Sequence, residues 1–164
     1  MILRSVLVLL LFAPAVGAEL IELIGPSGTR QLSAAEIATL PQTILKVQDH
    51  GSEVTFEGPE LRHLLAMVDA PSGETLRGTA LTAYVLVEAR DGYRVIYALA
   101  ELDPAFREDR VILARLRDGK PLTESESPYR IVPEREKKHG RAVRKVIRLT
   151  VGLASPPQTG ASSE

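Results

Sequence analysis

The chain has no cysteine, no tryptophan and no asparagine. Without cysteine it can form no disulfide, thiolate zinc site or iron–sulfur cluster, and it has neither a cysteine nucleophile nor a bacterial lipoprotein anchor. Without asparagine it offers no N-glycosylation acceptor. Neither sign of charge dominates, since 20 Lys and Arg stand against 21 Asp and Glu. A dedicated nucleic-acid binder carries a strong basic excess, so nucleic acid is not an expected partner. There is also no GxSxG elbow, HExxH pair, Walker loop or GxGxxG turn, so the familiar hydrolase, metalloprotease and nucleotide signatures are missing. What is present is 164 residues, 45% of them apolar. That is enough for one folded domain and too apolar for wholesale disorder.

Residues 1–18 read as an export leader. Arg4 precedes a short apolar run broken by Pro14, and Val16-Gly17-Ala18 fits the small-residue rule of a signal-peptidase site. The run is shorter than the roughly 20 residues of a transmembrane helix, so no stable membrane insertion is expected after cleavage. The mature domain is expected over 19–153, in the periplasm or otherwise outside the cytoplasm. A tail without periodicity, expected to be disordered, fills 154–164. No twin-arginine pair precedes the apolar run, which argues for export as an unfolded chain.

Along the mature chain, apolar runs and turn residues predict many short strands. Leu20–Ile24 and Thr29–Leu32 flank the turn Gly25-Pro26-Ser27-Gly28 and form a hairpin. Ser33 and Glu36 have capping-box spacing for a short helix that stops before Pro41. Thr43–Gln48 and Glu53–Phe56 are strands on either side of Asp49-His50-Gly51. Pro59 suits a first helical position, and Leu61, Leu64, Leu65 and Val68 then share one face. After a linker, Leu81–Ala89 is a strand with apolar residues on both sides, and Asp91-Gly92 turns into its partner Tyr93–Tyr97. A helical turn over Ala98–Leu102 ends at Asp103-Pro104. Val111–Leu116 and Tyr129–Val132 are further strands, and Ile147, Leu149 and Val151 alternate along a last one. The fold class is α+β: a β-rich, mixed-sheet or barrel-like domain with a few short helices.

Chemistry is sparse. His50, His63 and His139 lack ligand spacing, and no metal site is expected from them; His63 sits on the flank of a helical apolar face. Acidic pairs such as Glu108-Asp109 read as solvated ion pairs. The strongest local feature runs from Arg130 to Arg148, where eight Lys and Arg face only Glu134 and Glu136, with Gly140 in the middle. Such a loop can hold a phosphate or carboxylate. It can equally be a solvated loop guarding an edge strand.

The order of motifs resembles the molybdopterin-binding domain of the sulfite oxidase family. Phe56-Glu57-Gly58-Pro59-Glu60-Leu61-Arg62-His63-Leu64-Leu65 is similar to its aromatic-x-Gly-x-x-Leu-x-x-Leu-Leu segment, and Asp91-Gly92-Tyr93 to its DGY turn. Asp118-Gly119-Lys120-Pro121-Leu122 is similar to NGxPL, and Pro128–Pro133 to a PxRxVxP strand one residue short. Gly140–Lys145 resembles GKxVKW, on the cofactor's phosphate side. The resemblance spans about residues 20–151 and implies that fold. It also implies that Tyr93 lies near the substrate pocket and that Arg141 and Arg144 lie on the pterin-phosphate side. Active members of the family place a molybdenum-ligating cysteine after the strand matching Thr43–Val47. Here Val47-Gln48-Asp49-His50 follows without the soft thiolate such a metal needs, the adjoining loop is short, and Lys145 stands in place of Trp. Holo members receive the cofactor in the cytoplasm and leave folded, which an unfolded export route would not permit. The expectation is therefore an exported domain of this fold without molybdenum redox activity and with no cofactor. Molybdopterin remains possible by resemblance alone. The domain would bind an anionic small molecule or an extracytoplasmic protein partner through a cleft formed by His50, Asp91, Tyr93, His139, Gly140, Arg141 and Arg144. The alternatives are a molybdopterin oxidoreductase with atypical ligation, and a structural subunit that joins a partner through a strand edge.

Overall fold

The computed structural model describes residues 19–155. The leader expected over 1–18 and all but the first two residues of the expected tail lie outside them. The domain opens with a tight hairpin, β1 (Ile21–Gly25) and β2 (Gly28–Leu32). Helix α1 (Ala34–Thr39) follows, with the expected capping box: the Ser33 hydroxyl accepts from the Glu36 amide at 3.3 Å, and the Glu36 carboxylate accepts from the Ser33 amide at 2.9 Å. Strands β3 (Gln42–Asp49) and β4 (Ser52–Pro59) form an eight-residue-a-side hairpin, longer at both ends than the sequence suggests. Its turn puts His50 at φ 52° and Gly51 at φ 87°, the left-handed pair that matches strand twist in a two-residue hairpin.

Pro59 is a correction. It ends β4 rather than opening the helix, and Glu60 caps a shorter helix, α2 (Leu61–Ala66). The reason lies in Gly58. A Cβ there would stand 2.0 Å from the Leu113 carbonyl oxygen, so the strand continues this far because glycine lets it press against its neighbour. Leu61, Leu64, Leu65 and Val68 are buried on one face, as expected.

The central hairpin is β5 (Ala83–Ala89) with β6 (Arg94–Ala98), followed by the helical turn α3 (Leu99–Leu102). Asp103 ends that turn and pins the linker, accepting from the amides of Gly73 at 2.6 Å and Ala105 at 2.8 Å. The single strand expected over Val111–Leu116 is broken at Arg115 into β7 (Val111–Ala114) and β8 (Leu116–Arg117). The first pairs with β10 (Arg130–Pro133), while β8 pairs with β4 and with β9 (Lys120–Pro121). The chain thus crosses from one sheet to another at Arg115, the one charged residue in an otherwise apolar segment. The last strand, β11 (Val146–Leu153), carries a bulge between Val146 and Arg148, so Val146 and Leu149 are its fully buried residues and Ile147 is only half-buried.

These strands make a five-stranded sheet in the order β2-β1-β11-β5-β6, a four-stranded sheet β3-β4-β8-β9 and the pair β10-β7. The α+β class therefore holds, but the sheets are open, and the barrel-like closure is not found among the described residues. One large apolar core lies between the five-stranded sheet and the three helices. A smaller core of Leu45, Val54, Phe56, Ile112, Ala114, Leu122 and Val132 lies under the β3–β4 hairpin. Asp49, at the end of β3, lies over this second core.

Candidate functional site

At the end of β3 the carboxylate of Asp49 is buried, at 2% exposure. A buried carboxylate needs cationic partners to stay charged, and two arginines supply them. Arg130, also 2% exposed, donates from Nη2 to Asp49 Oδ1 at 2.9 Å and from Nη1 to Oδ2 at 3.2 Å. Arg117 Nη1 donates to Asp49 Oδ2 at 2.9 Å. Glu126 completes the cluster, accepting from Arg130 at 2.5 Å, from Arg117 at 3.1 Å and from the Thr123 hydroxyl at 3.0 Å. Beneath it lies the fully buried ring of Phe56, with the guanidinium carbons of Arg130 and Arg117 at 4.7 and 5.4 Å from its centre. The Arg130 hydrogen bond lowers the Asp49 carboxyl from 3.8 to about 2, against the opposing effect of burial. Burial alone would raise Glu126, but hydrogen bonds from Arg130 and Thr123 and the charges of both arginines outweigh it. Two cations and two anions cancel, so the cluster is neutral.

Above Asp49 stand two imidazoles from different loops. His50, at the tip of the β3–β4 turn, stacks on His139 with ring centres 5.3 Å apart and planes 25° apart. His50 Nε2 and His139 Nδ1 each lie 4.0 Å from the same oxygen, Asp49 Oδ1. Arg144 Nη2 is 3.3 Å from His50 Nε2. The loop carrying His139 is fastened from below: Tyr93 donates its hydroxyl to the Gly140 carbonyl and Tyr97 to the Arg141 carbonyl, both at 2.7 Å. Asp91 holds the β5–β6 turn, accepting from the Tyr93 amide at 3.0 Å. Asp91, Tyr93, His139, Gly140 and Arg144 line an open cleft of about 230 Å³. A second cleft, of about 330 Å³, lies on the other side of His139 and is walled by Lys46, Asp49, Arg130 and Lys138 among others.

Six of the seven residues expected at a site are therefore gathered: His50, Asp91, Tyr93, His139, Gly140 and Arg144. Arg141 is the exception. Its guanidinium turns away, donating to Glu101 at 2.8 Å and Glu136 at 2.9 Å and lying 4.4 Å over the Tyr97 ring. With two carboxylates on it, Arg141 is a fastener of the loop. The basic run divides accordingly. Arg130, Arg135, Arg141 and Arg148 are all ion-paired, whereas Lys137, Lys138, Arg144 and Lys145 have no carboxylate within 4 Å among the described residues. Tyr93, expected beside a substrate pocket, lines the cleft but spends its hydroxyl on Gly140.

The sequence reading missed Asp49, Arg117, Glu126 and Arg130 as a unit. Asp49 reads as a turn residue and Arg130 as one basic residue among eight, and 81 positions separate them. Only the matched PxRxVxP strand singles out Arg130.

No protein-family model and no curated protein matches this chain. A solved structure does: the sulfane dehydrogenase SoxCD from Paracoccus pantotrophus, at 14% identity and a TM-score of 0.59 over 80% of this chain. The match spans 37% of that protein's chain. At this identity the likeness shows the fold, which is the sulfite oxidase-type architecture that the motif order implies.

Whether the residues present fit a molybdenum centre can be read from the donors. The stretch that would supply a thiolate ends in Asp49, whose two oxygens already accept three guanidinium hydrogen bonds. Among the described residues no three His, Asp or Glu side chains are placed to hold a metal ion. A hard carboxylate paired with two arginines does not fit the soft-donor site such a metal requires.

Proposed function

We propose that this chain is an extracytoplasmic ligand-binding domain built on a sulfite oxidase-type scaffold, that it works without a molybdenum redox centre, and that its ligand is a small anion. The observation that carries the reading is the set of groups left unspent around His139. The buried cluster beneath is neutral, while Arg144 and Lys138 keep uncompensated positive charge beside two exposed imidazoles. A cation entering here meets guanidinium and ammonium groups. An anion meets a guanidinium fork and ring N–H donors, the stronger kind of hydrogen bond. The leader-like first eighteen residues support the extracytoplasmic setting, and the pairing of Asp49 with two arginines supports the loss of metal chemistry.

The test is calorimetric titration of the purified protein with inorganic phosphate and with succinate. Arg144→Ala and His139→Ala are expected to weaken the binding at least tenfold, and Arg141→Ala to weaken it less. Failure of both anions to bind the unaltered protein, or equal binding by Arg144→Ala, would refute the site. Stoichiometric molybdenum, with pterin fluorescence after oxidation, in protein purified from its native source would refute the cofactor-free reading and return the chain to the oxidoreductases.

A further inference from the structure

The five-stranded sheet has two faces, and only one is used by the core. All three helices send their buried residues, Ile37, Leu61, Leu64, Leu65, Leu99 and Leu102, to the inner face. Register fixes what the outer face carries, because paired residues point the same way. One row across four strands reads Ile24, Thr150, Leu86, Ile96. Ile96 is 56% exposed and the other three are half-buried. The next row reads Glu22, Arg148, Glu88, Arg94, with Arg148 ion-paired to both glutamates. On the other side of the apolar row, the Tyr84 ring lies over Gly152, where a Cβ would meet ring atoms at 2.7 Å, and Ala98 follows. Small residues, Gly152 and Ala98, lie beside the larger apolar ones of this face. The face accounts for Tyr84 and Leu86 on the side of β5 that does not reach the core.

We propose that this outer face is the contact surface of a homodimer, two copies packing sheet to sheet about a two-fold axis that runs along the strands between β5 and β11. The charge order carries the choice of a second copy. Across the sheet it alternates as minus, plus, minus, plus, and a two-fold reverses it. Glu22 then faces Arg94 of the second copy and Arg148 faces Glu88, so every charge meets its opposite. The same operation lays Ile24 against Ile96 and Thr150 against Leu86, closing the apolar row on itself. A patch of four strands and three rows measures about 20 Å by 20 Å, or about 800 Å² over two copies. That is below the size of a standard interface, so the dimer is weak and concentration-dependent. This inference does not depend on what the His50–His139 cleft binds.

Sedimentation velocity on the purified protein from 1 to 500 μM tests it. The expected result is a monomer–dimer equilibrium whose dissociation constant rises at least tenfold in Ile96→Lys and is unchanged in Ile44→Lys, a comparably exposed residue on the edge of the other sheet. The chain has no cysteine, so mixing Thr150→Cys with Leu86→Cys protein is expected to give a disulfide-linked heterodimer on mild oxidation. A monomer at every concentration, a dimer indifferent to Ile96→Lys, one lost in Ile44→Lys, or no cross-link would each overturn the proposal.

Discussion

Replacing Asp49 probes whether the buried ion cluster holds the second core together. Asp49→Asn keeps the shape of the side chain and removes its charge, leaving Glu126 alone to balance Arg117 and Arg130. Lowering the folded-state carboxyl from 3.8 to about 2 corresponds to about 2 kcal/mol of stability at neutral pH. Asp49→Ala removes the partner altogether. Unpairing a buried charge costs about 3–5 kcal/mol, and a domain of this size loses roughly 3–4 °C of melting temperature per kcal/mol. The expected drop is therefore about 10–15 °C for the Ala variant and about half that for Asn. The sign of the pH dependence follows from the depressed value. The contribution of Asp49 is present in full above the unfolded carboxyl's range, near pH 4, and is lost as pH falls through the folded value near 2. Thermal melts by circular dichroism at pH 7 and again near pH 2 read this directly. The gap between the unaltered protein and Asp49→Asn is wide at pH 7 and nearly closed at pH 2. A gap below about 0.5 kcal/mol at pH 7, within the range of ordinary surface substitutions, or one that stays constant with pH, would refute the claim that this carboxylate's charge stabilises the fold.

Two other substitutions test the surroundings of the site. Gly58→Ala places a Cβ against the Leu113 carbonyl oxygen and forces β4 off its neighbour, so poor soluble yield or a melting temperature at least 10 °C lower is expected. Tyr93→Phe removes the hydroxyl donated to Gly140, a bond worth about 0.5–1.5 kcal/mol; faster amide exchange across 138–144 with little change in global stability would follow, and unchanged exchange there would mean that the hydroxyl does not fasten the loop.

Much of the domain was legible from pattern because its causes are local. Ser33 and Glu36 are three residues apart, and their capping box forms as the spacing demands. The Leu61–Val68 face is set by helical period, and Gly51 and Gly92 mark turns by taking positive φ. The motif resemblance and the basic run together put His50, Asp91, Tyr93, His139, Gly140, Arg141 and Arg144 among the residues to watch, and folding turned Arg141 away from the others. Pro59 misled because its preference for a first helical position competes with a strand that only the contact of Gly58 with Leu113 prolongs. Arg115 misled because one charged residue between Ala114 and Leu116 also fits a continuous strand, and only the separate pairing of β7 with β10 and β8 with β4 marks the crossing.

The sequence by itself determined the strand-and-turn order, the short helices and the absence of any thiol chemistry, since each depends on residue type or on neighbours a few positions apart. Tertiary structure alone decided which charges are free. Arg141 and Arg144 are equivalent as sequence, yet one is neutralised by Glu101 and Glu136 and the other stands open beside His50. Asp49 became the buried anchor of the site because folding brought Arg117 and Arg130 to it from distant strands. Ion pairing acts over a few ångströms of space, and the separation of two residues along the chain does not record that distance.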